Sequence, residues 1–262
     1  MSPLRKAAAH RRAFLKASAA TLAAASIPRA VFAAPAPTSA AETVIGELFA
    51  TLTDTQRGEI CRDFGDPLRD RVHPNWHVTK PLIDNAFYSD SQRTLIERIV
   101  REVTSEEGYE RLVAQMEYDD GGLGGYSMAI FGQPGAGDFQ WMLTGRHLTL
   151  RADGNSVAKT AFGGPIVYGH GEESSAAENL FFYQTQKVNE VFGALDKDQA
   201  AAALLPKAPA ESSVQPQGQS GAFPGLKVGD MTPDQQQLVQ GALHFADALL
   251  AGAGAADEFG NH

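Results

Sequence analysis

The chain has a single cysteine, Cys61, among 262 residues. No disulfide can form within it, so its stability must come from packing or from a bound ligand. Positive charge is also scarce. There are 22 lysines and arginines against 31 acidic residues, and six of the basic ones (Arg5, Lys6, Arg11, Arg12, Lys16 and Arg29) fall within residues 1–33, which hold no acidic residue. Without that segment 16 basic residues face 31 acidic ones, a net charge of −15. Such a surface repels phosphate backbones and anionic lipid headgroups, which excludes a nucleic acid as the partner. Long apolar runs are missing too: the alanine-rich stretch near the N-terminus is too short to be a stable membrane anchor. What remains is an ordinary globular composition, 43% hydrophobic and 20% charged, long enough for one sizeable core.

Residues 1–33 have the layout of an export signal. Arg11-Arg12-Ala13-Phe14-Leu15-Lys16 is followed by a mild apolar stretch from position 17 to 27, a helix-breaking Pro28, and the small-residue pattern Val31-Phe32-Ala33. The arginine pair before Phe-Leu-Lys matches the twin-arginine signal, which implies passage through the twin-arginine export machinery as a folded protein, to the periplasm or the extracellular space. That route permits a cofactor loaded before export.

Residues 34–41 read as a disordered leader, 42–205 as the core domain, 206–225 as a linker, 226–251 as a C-terminal helix of the same domain, and 252–262 as a disordered tail. Val44, Leu48, Phe49 and Leu52 fit one helical face. Residues 61–81 have no helical period and three prolines, and predict a loop with short extended pieces. Ser89 with Gln92, and Thr104 with Glu107, predict two capped helices carrying the stripes Leu95, Ile96, Ile99, Val100, Val103 and Tyr109, Leu112, Val113, Met116. The period then changes: 126–131, 139–150 and 157–162 predict three strands, with turns at 133–137 and 153–155. Helix is expected again over 178–195, after Asp196, and from the Thr232-Pro233 cap onward. The fold class is α+β, a central antiparallel β-meander flanked by N- and C-terminal helices.

No complete catalytic motif is present. Gly125-Tyr126-Ser127-Met128-Ala129 has the spacing of a nucleophile elbow, but strand residues follow the serine where a helix is required. His73 and His77 have helical metal-pair spacing, and Pro74 disfavours the helix that spacing needs. The strongest candidates lie in residues 144–173. If 139–150 is one strand, His147 shares a face with Trp141, Leu143, Gly145 and Thr149, and Arg146 points the other way with Leu148 and Leu150. His147 would then be either a half-buried histidine satisfied by the backbone or a group facing a cavity under the glycine-rich loop 163–173. That loop carries His170, Glu172 and Glu173. Arg146 and Glu172 are the candidate catalytic groups, and His147, His170 and Glu173 the candidate ligands of a divalent or transition metal. Glu172 and Glu173 could equally be charges suited to the N-terminus of the next helix.

Several stretches carry a family resemblance. "FGQPGAGDFQWMLTGRHLTLRADGNS", "AFGGPIVYGHGEE", "FFYQTQKVNEVFGALDKDQ" and "FPGLKVGDMTPDQQ" resemble the bacterial domain-of-unknown-function family 3500, over residues 42–250. The resemblance implies an exported bacterial protein and no particular reaction. It also implies that relatives continue past the last helix with strands ending in a Gly-Pro segment and a His-x-His, which this sequence lacks. Three readings follow: a metal-dependent exported enzyme acting on an unidentified small molecule; a non-catalytic exported binding or cell-envelope protein; or an inactive, truncated family member.

Overall fold

A computed structural model describes residues 40–154, 166–169, 179–208, 221 and 223–247. Helix α1 (Ala40–Thr51) is followed by α2 (Asp54–Ile60), α3 (Asp90–Val103) and α4 (Glu106–Asp120). Three strands follow: β2 (Ser127–Gly132), β3 (Phe139–Gly145) and β4 (Leu148–Gly154). A short strand, β1 (Cys61–Arg62), lies parallel to β2, and β5 (Val167–Tyr168) pairs antiparallel with β4. The sheet order is β1-β2-β3-β4-β5, so the architecture is α+β around a mostly antiparallel meander. Helices α5 (Phe182–Gly193), α6 (Lys197–Ala203) and α7 (Pro233–Asp247) complete the described chain.

The capping signals act as read, with one displacement. Ser89 and Gln92 form a full capping box on α3. On α4 the cap is Ser105, whose side chain accepts from the Gly108 amide, while Thr104 ends α3 and bonds back to the Val100 carbonyl. A second full box, Thr53 with Gln56, starts α2, a helix the apolar period alone did not reveal because it carries only one buried aliphatic residue, Ile60.

One sheet face and the helices form the main core. Met128, Ile130, Trp141, Leu143, Leu148 and Leu150 pack against Ile45 and Leu48 of α1 and Ile96, Ile99 and Val100 of α3. Full burial of each such aliphatic side chain is worth about 2 kcal/mol. The opposite face, with Ala129, Phe131 and Met142, is covered by Leu68, Trp76 and Val78 from the proline-containing stretch 63–81. That stretch is fastened by strand side chains. Val78 N–H donates to Thr144 Oγ1 at 2.8 Å, and Trp76 Nε1 to Thr149 Oγ1 at 2.9 Å. Buried Arg151 donates to the carbonyls of Arg69 and Arg71. With both faces covered, every residue of β3 and β4 is buried.

The predicted strand 139–150 is two strands. The chain reverses between Gly145 and Leu148, which pair with each other, so Arg146 and His147 form the link of a tight hairpin. Reversal changes the face assignment: Leu148 and Leu150 lie on the Trp141–Leu143 side, and Thr149 on the other. Asp153 and Gly154, read as a turn, lie within β4 opposite Gln140 and Phe139. The hairpin at 145–148 was missed because its two central positions, Arg146 and His147, are none of Gly, Pro, Asn or Asp. His147 itself takes the left-handed conformation, φ 54°, the one described non-glycine residue to do so. The predicted strand 157–162 lies outside the described residues.

Candidate functional site

The site is built by α4 gripping that hairpin link. Gln115 and Asp119 are one helical turn apart and so project from the same face of α4. Gln115 is fully buried, and its Nε2 donates to the His147 carbonyl at 3.1 Å. Asp119 takes the ring: His147 Nδ1 donates to its Oδ2 at 2.9 Å. From β2's side, Tyr126 Oη donates to the Arg146 carbonyl at 2.9 Å. Burial raises the Tyr126 phenol pKa, and the Asp119 and Asp120 carboxylates raise it further, so it stays a donor at neutral pH. Three side chains therefore hold a link that local backbone preference disfavours by about 1–2 kcal/mol.

Gly145 makes this possible. A Cβ there would sit 2.3 Å from the Tyr126 ring, so only glycine lets the phenol pass beneath the hairpin to Arg146.

The electrostatics follow from where Asp119 sits. Its side chain is 1% exposed and lies in the last turn of α4, where the helix dipole is unfavourable for an anion. The compensation comes from the hairpin link. Besides the imidazole, Arg146 Nε lies 3.6 Å from Asp119 Oδ1, with the Arg146 side chain half exposed. Because a carboxylate only accepts, Nδ1 carries the proton, and in the neutral ring the lone pair is left on Nε2. The ring is 24% exposed. The result is a histidine fixed in one tautomer at the protein surface, with a guanidinium beside it, an arrangement suited to general-base work or to ligating a metal through Nε2.

The positions of the candidates are now clear. Arg146 and His147 converge on one buried carboxylate, rather than pointing to opposite sheet faces, because they occupy a turn and not a strand. His170, Glu172 and Glu173 lie outside the described residues. The described backbone leading to them ends at Gly169, whose N–H donates to Gln115 Oε1 at 3.3 Å. The amide that holds His147 thus also holds the residue before His170. Among the described residues no three His, Cys, Asp or Glu side chains are grouped to hold a metal ion. Beside the link, an apolar crevice runs along α4, lined by Leu112, Leu148, Leu150, Ile166, Tyr168 and Phe181.

Other motifs resolve as structural. Ser127 is buried in β2 with its hydroxyl 3.2 Å from Thr144 Oγ1, which is no nucleophile elbow. His73 and His77 lie in non-helical chain, and His73 Nδ1 accepts from the Asn75 amide at 3.0 Å. Sequence reasoning missed Gln115, Asp119 and Tyr126. The i,i+4 spacing of Gln115 and Asp119 was the available signal, but it has meaning only once the hairpin is placed beside α4.

The comparisons with known proteins agree with the resemblance. A family model described as "Protein of unknown function (DUF3500)" matches residues 34–252. No curated protein and no solved structure matches the chain. The chain belongs to the DUF3500 family.

Proposed function

We propose that this DUF3500 protein is an exported enzyme that acts on a small molecule through His147 Nε2, with Asp119 as the orienting carboxylate and Arg146 as an anion-facing group. The observation that carries this reading is the 2.9 Å contact between His147 Nδ1 and a carboxylate that is 1% exposed. A buried charge so placed is costly unless it is paired, and here it is paired to a solvent-facing ring in a strained turn. Export rests on the Arg11–Arg12 signal, and among the described residues no helix is long and apolar enough to cross a membrane.

The test needs no known substrate. Diethyl pyrocarbonate modifies imidazole nitrogens that carry a free lone pair, and mass spectrometry reads the site. His147 is expected to react, and Asp119→Asn to slow that reaction by letting the ring change tautomer. Equal rates in both proteins would remove the basis for a general base. A panel of chromogenic esters and peptides then reads turnover, which His147→Ala should abolish in folded protein.

A metal-assisted version is favoured by one further contact, the Gln115 amide that joins His147 to the residue preceding His170. His147, His170 and Glu173 would supply the ligands, with Asp119 behind His147 in the carboxylate–histidine–metal manner. Elemental analysis of folded protein decides this. Absence of stoichiometric metal, or its retention after joint replacement of His147 and His170 by alanine, removes the version. If turnover and metal are both absent, the non-catalytic exported binding role is the reading left.

A further inference from the structure

A second polar site lies away from His147, at the other end of the sheet. Strand β1 runs parallel to β2, with Cys61 opposite Ile130 and Arg62 opposite Phe131, so the two strands finish at the same end. Asp63, just past β1, and Gly132, the last residue of β2, line a cleft of about 590 Å³ there, together with Phe49 of α1 and Arg57 of α2. That is the size of a small-molecule site. The Arg146–His147 link stands at the opposite end, where β2 begins beside Thr144. Five residue steps of strand, roughly 17 Å, separate the two ends.

The charges of this cleft are fixed in place but not neutralised. Arg57 and Arg62 both line it, and both are half-buried. The Nε atom of each is shut off from water and has no hydrogen-bond partner. Burial at Nε holds each side chain by its stem, so the guanidinium heads are set in position rather than free to swing toward a carboxylate elsewhere. Arg57 Cζ sits 4.5 Å from the centre of the Phe49 ring, and its Nη2 donates to the Phe49 carbonyl at 3.2 Å. Arg62 makes no hydrogen bond and no ion pair through its side chain among the described residues.

Asp63 and Asp66 line the same cleft. Asp66 Oδ1 accepts from the Leu68 amide at 2.8 Å, while the Asp63 side chain has no partner among the described residues. No ion pair joins either aspartate to Arg57 or Arg62. Two positive and two negative side chains therefore share one cleft without cancelling in pairs. That pattern narrows the ligand. A phosphate dianion would gain the two arginines but be repelled by the two aspartates. A carboxylate fits the fork of a guanidinium with a single charge. A cationic amine on the same molecule turns Asp63 from a penalty into a partner.

We propose that this cleft binds a small zwitterion, a free amino acid or short peptide, with its carboxylate on Arg57 and Arg62 and its ammonium group beside Asp63. The site stands apart from the chemistry proposed for His147, so either reading can fail alone.

Arginine Nε–H groups shielded from water give their own signals in proton–nitrogen NMR spectra, so both guanidiniums can be followed in the full chain. The probes are the free L-amino acids, one at a time, and L-alanyl-L-alanine. At least one should move the Arg57 and Arg62 Nε–H signals and the amides of residues 62–64 and 132–133, and saturate below about 10 mM. Its N-acetylated form, which lacks the ammonium group, and its amide, which lacks the carboxylate, should each bind at least about tenfold more weakly. Arg62→Gln should abolish the shifts at unchanged melting temperature, because it removes a side chain with no internal partner. Asp63→Asn should weaken binding about tenfold, and His147→Ala should leave it unchanged. The proposal is overturned if no probe gives a saturable shift, or if Arg62→Gln or Asp63→Asn binds as the parent chain does. It is also overturned if the N-acetylated form or inorganic phosphate binds as tightly as the zwitterion, or if His147→Ala abolishes the shifts.

Discussion

Replacing His147 by glycine separates the backbone cost of the hairpin link from the value of its hydrogen bond to Asp119. Glycine relieves the left-handed strain at φ 54°, a gain of about 1–2 kcal/mol, but loses roughly 0.5–1 kcal/mol to the greater freedom of the unfolded chain. The two nearly offset. What is left is the charge-assisted hydrogen bond to Asp119, worth about 1.5–3 kcal/mol when its partner stays buried. Because the ring is 24% exposed, water can restore some of that loss, which favours the lower half of the range. The carboxylate itself is 1% exposed and would keep only Arg146, at 3.6 Å. The expected net destabilisation is therefore about 1–2 kcal/mol, a fall in Tm of roughly 2–8 °C for a protein of this size. Urea or thermal melts read it. Asp119→Ala combined with His147→Gly should cost less than the two separately, by about 1 kcal/mol or more, because no charge is then left unpaired. The reasoning is refuted if His147→Gly is as stable as the parent chain, or if the double variant is additive.

Gly145→Ala should destabilise the fold by about 1–3 kcal/mol, since its Cβ meets the Tyr126 ring at 2.3 Å, and should lower the reactivity of His147 toward diethyl pyrocarbonate. Arg151→Met removes both donors to the Arg69 and Arg71 carbonyls; stability should fall by about 2–3 kcal/mol, and limited proteolysis should cut within residues 63–81 first. Burial raises the Cys61 thiol to about 11 from an ordinary 9.0, so iodoacetamide should alkylate it about 100-fold more slowly in folded than in unfolded chain near pH 8. Cys61, Tyr88 and Tyr126 are all raised mainly by burial, so the folded state holds them neutral. The contribution from Cys61 is complete below pH 9 and is lost as the pH rises through about 11; that from the two tyrosines is complete below pH 10 and is lost at higher pH still, so urea melts from pH 7 to 11 should show a falling midpoint.

The sequence alone determined the α+β class, the capping box at Ser89, the cap at Asp196, the Thr232-Pro233 helix start and the turn at 133–137. These are local matters, settled by side chains within four residues of the backbone they serve. It also made Arg146 and His147 candidates. It could not place them, because the link they form has no turn residue and exists only where Tyr126, Gln115 and Asp119 hold it from other elements. Nor could it show Asp119, which reads as one of two adjacent acids at a helix end until the hairpin lies against it. Contacts between distant parts of the chain decided the site, because only they can oppose a strained turn and a buried charge.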